Sequence, residues 1–284
     1  MKKFLLFVSL VTVISASAQT VTKKTTLQKG QQIEQVSKVT ALITQQMMGQ
    51  SMEINMESNT VALIEVKDNV ADGYKVANTL KKMTMNMNAM GNEQKFDSDK
   101  PEDMNGPIGQ GLKDKINVTK EYTVDKNGIV TNAPQTKDSA KADPNSVMGN
   151  MVNGSMGDEK KGAAYSAFAN LPSKGVKVGE SWTDSTSDGK TVTKNTYTLR
   201  SVTGNNGVVD VKSNLNLEQD IEQQGMSMHM SMAGTVTGEY SFDVNTGLIR
   251  SRKLKTEASG NIDVMGQSVP MSISSTVESN STVK

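Results

Sequence analysis

From Met226 to Val244 the chain alternates without a break. Met226, Met228, Met230, Met232, Gly234, Val236, Gly238, Tyr240, Phe242 and Val244 are apolar or glycine, and every residue between them, His229 included, is small or polar. A period of two held over that length predicts a long antiparallel β-strand with one dry face and one wet face.

The same period recurs along the chain. Ile33, Val39, Ala41 and Ile43 share a phase, as do Met52, Ile54, Met56, Ala62, Ile64 and Val66 in the next strand. Tyr74, Val76 and Leu80 then fall in one phase and Met83, Met85 and Met87 in the other. A slip of one residue near Lys81-Lys82 is what a β-bulge produces. Met90-Gly91-Asn92 turns the chain back toward Phe96, and Asp125-Lys126-Asn127-Gly128 closes a strand over Val118 to Val124. In the second half, Val209, Val211, Leu215 and Leu217 align, and so do Val269, Met271, Ile273 and Val277.

Helical signals are few. Pro107 suits a first turn, and Ile108, Leu112 and Ile116 form a stripe, which predicts a short helix near 107–116. An Ala-rich run, Ala163 to Ala169, reads as a second short helix ending before Pro172. Gln19 to Gly30 reads as a loose polar entry, and Trp182, the one tryptophan, as a plug for one end of the core.

The two halves resemble each other. Glu121-Tyr122-Thr123-Val124-Asp125 and its turn parallel Glu239-Tyr240-Ser241-Phe242-Asp243 and the turn at Gly247. Upstream, Asp72-Gly73 to Leu80 parallels Asn206-Gly207 to Leu215. Internal duplication explains this, with convergent hairpin chemistry as the competing account. The expectation is a mainly all-β chain of two related antiparallel meanders. They form one large curved sheet, a half-barrel, or a two-sheet sandwich, with one or two short helices. Residues 1–18 read as a signal peptide and 19–131 as the first meander. Residues 132–162, poor in apolar anchors, read as a flexible linker, and 163–284 as the second meander.

Composition narrows the function. Lys2 and Lys3 precede a short apolar run, Phe4 to Ile14, and Ala16-Ser17-Ala18 is a small-x-small cleavage site. Export with cleavage after Ala18, to the periplasm or outside the cell, is the expectation. The run is well short of the about 20 residues a spanning helix needs, so no membrane-spanning helix is expected. Loss of Lys2 and Lys3 moves the formal net charge from +1 to −1, which offers nothing to nucleic acid. There is no cysteine, hence no disulfide and no thiolate metal site. An outer-membrane barrel would need aromatic girdles, and only five Phe, five Tyr and one Trp are present.

The SASAQ end of the signal, the MGQS turn at 48–51, the KGVKVGESW stretch at 174–182 and the YSFDVNTG turn at 240–247 resemble a family of uncharacterised secreted proteins common in Bacteroidota. That resemblance spans most of the mature chain and implies a location but no activity. Asp138-Ser139-Ala140 and Asp184-Ser185-Thr186 are similar to the short O-glycosylation signal of exported proteins in that group, making Ser139 and Ser185 modification candidates.

No enzyme chemistry is legible. The chain has one histidine, no G-x-S-x-G, no phosphate-cradling loop and no H-E-x-x-H, so catalysis is not expected and no cofactor is implied. The 19 methionines are the sharpest chemical feature. Met83, Met85, Met87, Met226, Met228, Met230 and Met232 would coat one apolar face, suited to a closed core or to a groove for a lipid or hydrophobic peptide. The alternative is a Cu(I) or Ag(I) site of thioethers from Met226, Met228 and Met230 with His229. Strand alternation alone accounts for the methionine spacing and sets His229 on the opposite face. The first expectation is therefore an exported, non-enzymatic, envelope-associated binding or structural module with a methionine-lined face.

Overall fold

The computed structural model describes residues 20–47, 50–134, 159–187, 191–223, 226–264 and 266–284. Residues 1–18, read as a signal peptide, and most of residues 132–162, read as a linker, lie outside them. The described strands are β1 (Thr20–Val21), β2 (Gln32–Met47), β3 (Gln50–Val70), β4 (Gly73–Ala89), β5 (Asn92–Asp97), β6 (Thr119–Asp125) and β7 (Val130–Asn132). They continue as β8 (Val176–Lys177), β9 (Ser181–Ser187), β10 (Thr191–Thr203), β11 (Asn206–Gln223), β12 (Met226–Asp243), β13 (Ile249–Val264) and β14 (Gln267–Val283). Two short helices, α1 (Pro101–Asn105) and α2 (Pro107–Leu112), sit between β5 and β6.

Twelve strands make one antiparallel sheet. Its order is β7-β6-β4-β3-β2-β14-β13-β12-β11-β10-β9, with β5 added on β4, and its ends do not pair, so the sheet is not a closed barrel. β1 and β8 form a small separate ladder. The two runs of strands join where β2 pairs with β14, Ile33 facing Val283 through to Gln45 facing Met271.

Two short bridges require the sheet to curve. Ala164 pairs with Ile129 beside β7, and Phe168 pairs with Leu248 beside β13. Four residues reach at most about 14 Å. In a flat sheet six inter-strand steps would separate β7 from β13 by about 29 Å. Thr25 and Thr26 repeat the constraint, since their N–H groups donate to Lys126 O and Thr246 O, one in each of two distant turns.

Those two turns are built alike. The Asp125 carboxylate accepts from the N–H groups of Asn127 and Ile129, and that of Asp243 from those of Asn245 and Thr246. Lys126 N–H donates to Asp72 O, and Val244 N–H to Asn205 O. The ladder register moves the sequence match by one residue, however. Gly73 faces Asp125, whereas Asn206 rather than Gly207 faces Asp243. Tyr122 and Tyr240 thereby face Val76 and Val209 in equivalent places.

The phase slip in β4 is a bulge: Val61 faces Lys82 and Ala62 faces Leu80, leaving Lys81 over. A helix does form within 107–116, though it ends at Leu112, and Ile116 bridges to Leu80. Three expectations need correction. The Ala-rich run 163–169 is not helical, because its backbone is taken by the sheet margin. Tyr165 N–H donates to Gly128 O, Ala169 N–H to Gly247 O, and Ala167 O accepts from Ile249 N–H. Seven residues of helix propensity amount to little against bonds fixed in a packed end. The entry segment is not loose either, since Val21, Thr25 and Leu27 are buried. Finally, Trp182 is only half-buried, stacked on Tyr197 with centroids 5.5 Å apart; the plug is the 159–171 segment, with Tyr165 buried at its centre.

Candidate functional site

The long strands set their side chains in rows that run across the sheet. One row, inward-facing, reads Met85, Ser58, Val39, Val277, Leu254, Gly238, Val211, Tyr197 from β4 to β10. Alternation holds in β12, where Met230, Met232, Tyr240 and Phe242 are buried and His229, Ala233 and Glu239 exposed. Gly238 lets the strand coil inward: its φ is +150°, and a Cβ there would lie 2.1 Å from Lys253 O. No side chain fits that approach.

The concave face has two dissimilar ends. Where the turns at 71–72, 126–129, 204–205 and 244–248 gather, the plug packs Tyr165 against Tyr122 and Phe168, with centroids 6.0 and 5.7 Å apart. Ile33, Ile64, Val66, Val124, Val130 and Leu248 complete one cluster there, and Leu199, Val209, Tyr240, Phe242 and Ile249 a second. The opposite end carries the methionines.

The structure divides the seven sequence-predicted methionines. Met83 and Met85 are buried with Met56, Phe96 and Ile116, and Met104, Ile108 and Leu112 of the helical segment pack on that cluster. Met87 is half-buried beside them, facing Met56. Met230 and Met232 belong to a different cluster with Ile43 and Met271, packed by Ile54, Leu217, Met228, Ile262 and Ile273. Every member of that second cluster comes from the sheet itself. Met226 pairs with Gln223, and its side chain lies outside those described. Sequence reasoning listed Met56 and Met271 as core positions without joining them to the candidate face; the register does so.

His229 faces outward. Its two ring nitrogens bond Asp220 at 2.7 Å and Glu218 at 3.1 Å. The Asp220 hydrogen bond raises its pKa, partial desolvation opposes this, and Glu218 adds to the rise. Ser231 donates to Glu218 rather than to the imidazole, so no serine–histidine pair forms here. Met228 and Met230 point to the other face, which leaves the copper alternative with thioethers alone. Among the described residues no group of three or more His, Cys, Asp or Glu side chains is placed to hold a metal ion. Ser185 is exposed on β9, the edge strand, while Ser139 lies outside the described residues.

The outward face has two adjoining shallow depressions of about 460 and 370 Å³, which share Leu42 and Ser274 and are otherwise lined largely by hydroxyl, amide and carboxylate side chains. Met230 and Met232 line neither of them, while Met56 borders the larger. No described helix is long and apolar enough to cross a membrane.

A family described as of unknown function (DUF6263) matches residues 71–249, more than half of the chain. No curated protein matches it. Among solved structures, one of lipovitellin, concerned with lipid–protein interactions, is similar with a TM-score of 0.52 at 10% identity over 91% of this chain. This chain spans 26% of the lipovitellin chain. An outer membrane channel from Pseudomonas putida F1 aligns over 91% of this chain and 98% of its own, at 8% identity and a TM-score of 0.26.

Proposed function

The chain belongs to the family of unknown function DUF6263, and from that premise we propose an exported, non-enzymatic module that holds an acyl chain against the methionine end of its concave face. The observation that carries this is the second methionine cluster. Met228, Met230, Met232 and Met271 share one face of a curved, unclosed sheet; Met230, Met232 and Met271 are buried by flexible side chains of the sheet alone, with no described helix or loop over them, unlike Met83 and Met85 under α1 and α2. Thioether side chains are unbranched and adaptable, which suits an aliphatic tail without fixed shape.

Other features support the reading. The N-terminal residues have the pattern of a cleaved export signal, which suits a periplasmic or extracellular carrier. The fold-level likeness to lipovitellin, whose structure is described by its contacts with lipid, points the same way. Burying about ten methylenes at roughly 0.8 kcal/mol each would contribute about 8 kcal/mol before ordering costs. That is micromolar affinity at best, so the tail alone makes a modest ligand.

Native mass spectrometry of the exported chain tests the proposal. The expected spectrum contains a species heavier than the polypeptide by a lipid mass, removed by organic extraction. Bare polypeptide that also fails to take up a fluorescent fatty-acid probe overturns it, as does a co-purifying peptide in place of lipid.

A further inference from the structure

The concave face is not apolar throughout. Between the plug and the methionine end, one row carries Thr60, Ser37, Ser279, Arg252 and Tyr240 on five successive strands from β3 to β12. Thr60, Ser37, Ser279 and Tyr240 are each 4–5% exposed. Ser58, in the adjoining row, is 1% exposed. Among the described residues the hydroxyl of Ser58 has no hydrogen-bond partner and that of Tyr240 none of good geometry, the backbone of Asn170 lying nearby. Orphaned hydroxyls this deep are rare, and the one on Tyr240, directly opposite Arg252, points to a polar group that both are placed to meet.

Arg252 is the only Lys or Arg at an inward position of β2, β3 and β11–β14 among the described residues. Its Nη2 donates to Ser166 O at 2.8 Å, which uses one of five N–H donors. No other hydrogen bond or ion pair to this guanidinium is present among the described residues. The two nearby carboxylates are otherwise engaged. Glu159 accepts from both the N–H and the hydroxyl of Ser166, and Asp184 from the side-chain amides of Asn170 and Asn195. Burial lowers the pKa of Arg252, and the neighbouring phenols and Glu159 offset this in part.

We propose that this row is the head-group seat of the ligand, with Arg252 receiving the carboxylate of a long-chain fatty acid and the Tyr240 hydroxyl donating to it. The inference rests on the acyl-binding reading above and names the class of lipid. A guanidinium fork matches a carboxylate in shape and charge. One cation with Glu159 and Asp184 close by suits a singly charged head rather than a phosphate dianion. The tail then follows β13 toward the methionines. Ala258 stands six residues beyond Arg252 on the same face, about 20 Å away, roughly the reach of an extended long-chain tail. Gly238, Gly234 and Gly260 lie along that path and add no side chain to it, because each is pressed against the backbone of the neighbouring strand.

Calorimetric titration of the exported chain with oleate and with oleyl alcohol tests the inference. Wild-type protein should bind oleate at least about ten-fold tighter, and Arg252→Gln should bring oleate to the level of the alcohol without changing the alcohol's own affinity. Tyr240→Phe, which removes only the hydroxyl, should lower the preference by about three-fold and keeps the test open if Arg252→Gln fails to fold. Equal affinity for the two ligands in wild type overturns the head-group seat while leaving acyl binding intact. Binding of neither overturns both.

Discussion

The two ends of the concave face are made by the same strands in the same register, yet one is covered by a separate segment and the other is closed by side chains of the sheet alone. At the turn end, residues 159–171 and 20–31 cross the opening, and their backbone bonds with Gly128, Val130, Gly247 and Ile249 hold Tyr165 and Phe168 in place. At the methionine end, the second cluster consists of sheet residues alone. Sealing therefore depends on a segment that satisfies its own backbone groups on the sheet margin while delivering aromatic side chains, which have few torsions to freeze. Methionine does the opposite, since it fills space without specifying it.

The largest expected break in this comparison comes from truncating the sealed end. Phe242 is fully buried in the plug-side cluster, so Phe242→Ala should cost about 3–5 kcal/mol in urea unfolding. Met232→Leu, two rows into the methionine end, should cost under about 1.5 kcal/mol. If both changes cost the same, the two ends are packed alike and the distinction fails.

That contrast also marks how far the residues could be read in advance. Alternation in β12 and β3, the bulge at Lys81 and the Asp125 and Asp243 turns are local, and each shows in the pattern of residues. The plug does not. Ala163 to Ala169 carries helix propensity, and only its distant partners at Gly128, Gly247 and Ile249 make it extended. Arg252 likewise stands in an ordinary charged stretch, Arg250 to Lys255, and only the register sets it inward next to Tyr240 while Lys253 and Lys255 face out. The methionine face was legible as a face. Its division between a helix-covered and a sheet-only cluster was not, because helix packing on β4 and β5 is a tertiary fact.

Gly238→Ala should come next in size. The positive φ and the approach of Lys253 O leave no room for a methyl group, so a loss well above the about 1 kcal/mol of an ordinary glycine exchange is expected, read as a fall in melting temperature. Because Gly238 lies between Tyr240 and the methionines, its loss should also weaken binding of a fatty-acid probe. Tyr165→Phe sharpens the comparison from the other side. The Tyr165 hydroxyl is buried without a partner among the described residues, so removing it should leave stability unchanged or raise it by up to about 1 kcal/mol. A clear loss would mean that the hydroxyl is hydrogen-bonded within the plug.

The smallest effect should come from the outward face of the methionine strand. The pKa of His229 is raised in the folded chain, first by its hydrogen bond to Asp220, with Glu218 adding and desolvation opposing. Folding therefore favours the charged imidazole. Its contribution is fully present below the ordinary histidine pKa near 6.5 and is lost as pH climbs through the raised folded value. The pair is exposed and solvent-screened, so the slope should be shallow and should flatten further in high salt. In His229→Gln the melting temperature should no longer drift over that alkaline limb. Probe binding should be the same in both proteins, since the imidazole lies on the face opposite Met228 and Met230. A variant that keeps the drift assigns it to other groups. One that loses probe affinity would mean that the two faces of β12 are coupled, and the methionine end could then no longer be treated as a surface of its own.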